Sequence, residues 1–96
     1  MPKGSKAELR DVAEGFALLS DLTRLGILSA LEIGPKNVGA LCDALDLERY
    51  TVSDHLGILR RGRLVNGVRQ GKSVVYTTDK ANMKALVSAL GKLMPK

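Results

Sequence analysis

The sequence predicts a mainly α domain of α+β class, in which four helices, a two-stranded hairpin and a fifth helix follow one another along 96 residues. Three observations predict it. Apolar residues recur at helical spacing from Leu9 to Leu59 and again from Met83 to Leu93. Between these regions, after Gly62, the period drops to two in "RLVNGVRQGKSVVYTT". The chain is 45% hydrophobic but only 3% aromatic, so its one small core must be built from Leu, Val, Ile and Ala. A core of that size often gains stability by dimerising.

The elements follow in order. Residues 8–19, "ELRDVAEGFALL", put Leu9, Val12, Ala13, Phe16 and Leu19 on one helical face. "LSDLTRLGILSALEIG" reads as a second helix, capped by Asp21 and stopped by Gly34-Pro35. Asn37 caps a short third helix, "VGALCDAL", and Asp46-Leu47-Glu48 form the loop to a fourth helix over residues 49–61. Gly62 is expected to end that helix in a left-handed conformation. The hairpin is expected to turn at Gln70-Gly71; Asn66-Gly67 competes, but would leave one arm very short. Thr78 or Asp79 caps the last helix, where Met83, Leu86, Val87, Leu90, Leu93 and Met94 form a stripe.

A short helix, a tight turn, a second helix and a basic hairpin make the winged helix-turn-helix pattern, in the order α-α-α-α-β-β-α. With no repeat, low-complexity segment or linker, residues 1–96 read as a single domain. The terminal helices belong to neither turn nor wing. Their stripes, Leu9, Val12 and Phe16 with Met83, Leu86, Val87, Leu90 and Leu93, are expected to form a homodimer interface.

Charge is unevenly distributed. Residues 1–59 hold six Lys/Arg and nine Asp/Glu, a net of −3, while residues 60–96 hold nine Lys/Arg and one acid, a net of +8. Arg60, Arg61, Arg63, Arg69 and Lys72 lie in a stretch without any acid. That asymmetry points towards a polyanion. The only cysteine, Cys42, rules out an intrachain disulfide. "MPKGSKAELR" lacks a signal-peptide core and no apolar run reaches membrane-span length, so a cytoplasmic protein with no membrane partner is expected. Paired carboxylates, a nucleophile elbow and a phosphate-binding glycine loop are all absent, which argues against an enzyme.

Three segments, "LSDLTRLGIL", "TVSDHLGILRRGRLV" and "RQGKSVVYTT", resemble the start of the second helix, the recognition helix with its exit, and the wing of the ArsR/SmtB family of winged-helix repressors. The resemblance covers roughly residues 17–80. It implies a homodimer, joined by its first and last helices, that binds an imperfect palindrome in double-stranded DNA and releases it when a metal ion or another inducer binds. It also implies that Arg49, Tyr50, Ser53 and Asp54 face outward from the recognition helix as base readers. Arg49 suits guanine, and Ser53 pairs with several bases. Asp54 departs from the family pattern: it either accepts from cytosine N4 or pairs with Arg49 or Tyr50. Arg60, Arg61, Arg63, Arg69, Gln70 and Lys72 are the expected phosphate and wing contacts.

The family's metal sites find no match. Asn37, Val38 and Gly39 stand where a Cys-x-Cys pair would sit, and no histidine follows Asp79. No metal and no cofactor are therefore expected, and a lone Cys42 reads as an inert residue of an apolar face. His55, beside Leu56, reads as a packed histidine. Gly57 is an interior helical glycine, which costs about 1 kcal/mol; close approach to DNA or sequence drift explains it. A winged helix that meets an acidic protein instead of DNA is the competing reading.

Overall fold

The computed structural model describes residues 4–93, with α1 (Lys6–Leu18), α2 (Leu22–Ile33), α3 (Val38–Leu45), α4 (Arg49–Arg61), β1 (Val65–Gln70), β2 (Ser73–Thr78) and α5 (Lys80–Leu93). This is the expected order. Met94, the end of the expected α5 stripe, lies outside the described residues.

Local chemistry sets most boundaries. Helix α1 begins before the apolar period does, because Ser5 and Glu8 form a capping box: Glu8 N–H donates to Ser5 Oγ at 3.1 Å and Ser5 N–H to Glu8 Oε1 at 3.2 Å. Asp21 and Asn37 cap α2 and α3 as expected, accepting from Arg24 N–H at 3.0 Å and Ala40 N–H at 2.8 Å. Of the two candidates for α5, Asp79 is the cap, accepting from Asn82 N–H at 3.0 Å. Helix α3 ends at Asp46, left-handed at φ 54°, a conformation a short polar residue tolerates. That residue turns the chain into α4.

Two local expectations are corrected. The hairpin turn is Gly71-Lys72, not Gln70-Gly71, because Gln70 pairs with Ser73. Gly71 has φ 61°, as the first central residue of a type II′ hairpin turn requires. At the exit of α4, Gly62 has φ −81° and the left-handed residue is Arg63, at φ 61°. Leu64 N–H reaches Leu59 C=O at 2.9 Å and Arg63 N–H reaches Arg60 C=O at 3.0 Å, the two bonds of a Schellman motif. Gly62 is needed for space instead: a Cβ there would lie 2.2 Å from Leu18 Cδ1 of α1.

The core sits in the middle of the chain. Ile27, Leu28, Ala30 and Leu31 of α2 pack with Leu41 of α3, with Val52, Leu56 and Leu59 of α4, and with Leu64 and Val65 at the base of the hairpin. Each large side chain buried here contributes about 1.5–3 kcal/mol. Lys36, just before α3, exchanges backbone hydrogen bonds with Tyr76 at 3.2 and 2.8 Å, anchoring β2 to the helices. Helices α1 and α5 contribute no buried residue. They pack on each other where Gly15 meets Leu86; a Cβ at Gly15 would come within 2.5 Å of Leu86 Cδ1. Their apolar stripes stay partly open, with Val87 62% exposed. The radius of gyration, 14.9 Å, and the 51 × 23 × 22 Å extents describe an elongated molecule. No helix among the described residues is long and apolar enough to cross a membrane.

Candidate nucleic-acid interface

Val52, Leu56 and Leu59 fix the orientation of α4 by burying one side of it. At 100° per residue the opposite side is then the line Tyr50, Asp54, Gly57 and Arg61, with Ser53 on its flank. Tyr50 is 80% exposed, and Ser53 and Asp54 are exposed as well. Neither Arg49 nor any other cation pairs with Asp54 among the described residues; the ion pairs found there are His55–Asp21 at 3.7 Å and Lys80–Glu32 at 3.9 Å. The Asp54 carboxylate therefore faces outward with its accepting oxygens unused by another side chain.

Arg49 is placed differently from the other three expected base readers. It lies on the side of α4 that faces the wing, and it lines a cleft of about 350 Å³ with Asn37, Val38 and Gly39 at the start of α3 and Lys72, Ser73, Val74 and Tyr76 of the hairpin. Arg49 and Lys72, far apart in sequence, thus flank one opening. Arg69 and Gln70 are exposed at the end of β1, next to the turn.

The arginines after α4 separate. Arg60 is exposed near the wing side of the helix. Arg61 lines a cleft with Asp11, Glu14 and Leu18 of α1, and Arg63 lines another with Asp11, Glu14 and Asn82. The structure brings Tyr50, Ser53 and Asp54 together on one face and Arg49 together with Lys72. It turns Arg61 and Arg63 towards the acidic side of α1.

Sequence reasoning missed the part played by Arg24. Its Nε donates to Leu18 C=O at 2.7 Å and Nη2 to Ala17 C=O at 3.5 Å, at the end of α1, while Nη1 lies 3.4 Å from His55 Nδ1 on α4. One guanidinium thus joins α1, α2 and α4. The Arg24 backbone N–H holds the Asp21 carboxyl below its ordinary pKa; partial desolvation opposes this and the charges of His55 and Arg24 assist it. His55 is the packed, partnered histidine that its position beside Leu56 predicts, with a side chain 18% exposed. Asn82 was likewise unforeseen: its Nδ2 donates to Arg63 C=O at 2.9 Å and ties the start of α5 to the exit of α4.

With this geometry in hand, comparisons with known proteins are informative. A helix-turn-helix domain family model matches residues 19–68, from just before α2 into the hairpin. The transcriptional activator HlyU of Vibrio cholerae is 33% identical over 95% of this chain and 91% of its own length. The arsenical resistance operon repressor of Escherichia coli is 45% identical over 62 residues, which are 64% of this chain and 53% of the repressor. Among solved structures, the homodimeric winged helix-turn-helix DNA-binding domain Mb0332 of Mycobacterium bovis, described as a possible ArsR-family regulator, superposes with a TM-score of 0.73. It is 32% identical and the match covers 96% of this chain and 91% of that one.

Proposed function

Since the chain belongs to the ArsR family of winged-helix transcriptional regulators, we propose that it acts as a homodimeric repressor that reads a palindromic operator through α4 and grips the flanking phosphates with its wing. The observation that carries this reading is the outward face of α4: Tyr50, Ser53 and Asp54 are exposed together on a helix whose opposite side is locked into the core. A helix of that kind fits the major groove, where hydroxyl, phenol and carboxylate groups meet base edges.

Arg49 and Lys72 converge on one cleft, which suits a single phosphate better than a base. Arg60, Arg69 and Gln70 extend the grip on either side, and Arg61 and Arg63 add positive charge behind it. Two copies related by a two-fold axis present two α4 helices, so the bound sequence repeats inverted about one helical turn or a multiple apart. The partly open stripes of α1 and α5, Leu9, Val12 and Phe16 with Leu86, Val87, Leu90 and Leu93, supply the contact between the copies, while Met83, expected among them, packs against the protomer's own core. The signal that releases DNA acts without a resident metal site. Asn37-Val38-Gly39 occupy the positions of a Cys-x-Cys pair, and the sequence holds one cysteine and one histidine in all.

Selection of bound duplexes from a random pool near physiological salt tests the proposal, because phosphate contacts alone are salt-sensitive and sequence-independent. Enrichment of an inverted repeat is the expected result. Weak binding without enrichment would overturn it and favour a surface that meets another protein.

A further inference from the structure

The glycines inside the helices, with Gly62 at the end of α4, fall into two groups, those that a neighbouring leucine crowds and those without such crowding, Gly39, Gly57 and Gly91. At Gly15 and Gly62 a Cβ would fall 2.5 and 2.2 Å from leucine methyls, and at Gly26 it would press on Leu45 at 3.3 Å. Gly57 has no such neighbour. A Cβ there would meet only the far end of Arg61, Nη1 at 3.4 Å, in ordinary contact. The residue is interior to α4, its φ is not left-handed, and nothing among the described residues requires it to lack a side chain. It nevertheless carries the helix-propensity cost of glycine, and of the three uncrowded helical glycines it alone stands on the outward face of α4.

Its position gives a reason. Gly57 follows Tyr50 and Asp54 on the line opposite the buried side of α4, one turn before Arg61, whose side chain lines the cleft beside α1. A helix with its side chains is about 10–12 Å across and the major groove about 12 Å wide, so a reading helix fits with little clearance. Removing one side chain from the groove-facing line lets the helix backbone settle deeper and brings Tyr50, Ser53 and Asp54 nearer the base edges. We propose that Gly57 is the point of closest approach between the α4 backbone and DNA, so that adding a side chain there strengthens the fold and weakens sequence-specific binding. This rests on the DNA-reading function proposed above.

The test uses the full chain carrying Gly57→Ala or Gly57→Leu. Thermal unfolding is measured at one fixed protomer concentration, and fluorescence anisotropy titrations use both the duplex enriched by the wild-type protein and an unrelated duplex. Gly57→Ala should raise Tm and weaken binding to the enriched duplex by roughly tenfold, and Gly57→Leu should weaken it further. Binding to the unrelated duplex, held by phosphate contacts, should stay within about twofold. A higher Tm with unchanged specific affinity overturns the inference, as does a lower Tm, which would reveal an internal steric reason. Equal losses on both duplexes overturn it too. If the wild-type protein itself enriches no duplex, the failure lies in the DNA-reading function, and the role of Gly57 falls with it.

Discussion

Replacing Arg63 by glycine should stabilise the protein even though it removes a charged side chain. Arg63 holds φ 61° in the Schellman motif that ends α4, with its amide bonded to Arg60 C=O and the following amide to Leu59 C=O. A left-handed L-residue costs about 1–2 kcal/mol through the clash of its Cβ with the carbonyl oxygen. Glycine removes that clash but adds disorder to the unfolded chain worth about 0.4–1 kcal/mol. The net gain is about 0.5–1 kcal/mol, which in a domain of this size raises Tm by roughly 2–8 °C. The Asn82 bond to the residue 63 carbonyl is a backbone contact and survives. Arg63→Ala provides the control, since alanine keeps the Cβ and loses only the side chain beyond it. Thermal and urea unfolding at matched protomer concentration should place the glycine variant above both wild type and alanine variant. Equal stability of the two variants would refute the assignment of strain to residue 63. A loss in the glycine variant alone would do the same.

Other consequences are open to measurement. Arg69→Ala should weaken binding to every duplex and flatten the plot of log affinity against log salt by about 0.9 if one phosphate contact is lost; an unchanged slope would remove Arg69 from the clamp. Val87→Lys, on the most open part of the α5 stripe, should shift the protein towards monomer in light scattering and weaken operator binding with it. The depressed pKa of Asp21 means that its ionised form favours the folded state. That contribution is complete above the ordinary aspartate range and is lost as pH falls below about 4 towards the lowered value. Asp21→Asn keeps a capping oxygen and should lose this part of the acid sensitivity, which unfolding measured between neutral and acid pH would register.

What was legible in the sequence was local. The caps at Asp21, Asn37 and Asp79 satisfy amides three residues away, and the periods of α2 to α4 report the face each buries. The capping box of α1 was equally local: "SKAE" at residues 5–8 is its signature, and the apolar pattern, which starts later, obscured it. Helix α4 ends at Arg61 as expected, but the hairpin turn and the left-handed residue after α4 were each misplaced by one residue because strand register and close packing decide them. Asn66-Gly67, a strong turn signal, runs straight through β1, where Gly67 gives room to Tyr76 and Val74 at 3.0 Å from a would-be Cβ. Gly62 yields to Leu18 from a helix more than forty residues earlier. At the site, the exposed face of α4 followed from its buried one. The meeting of Arg49 with Lys72, the turn of Arg61 and Arg63 towards α1 and the reach of Arg24 to His55 depend on how distant helices pack. No spacing encodes those.

The claim that α4 reads bases is tested most directly by repeating the duplex selection with Ser53→Arg beside the wild-type protein. A residue at a base edge should change the enriched base at one or two symmetry-related positions, towards guanine, while leaving the half-site spacing set by the dimer intact. Enrichment of the same sequence by both proteins, at the same strength, would contradict the account.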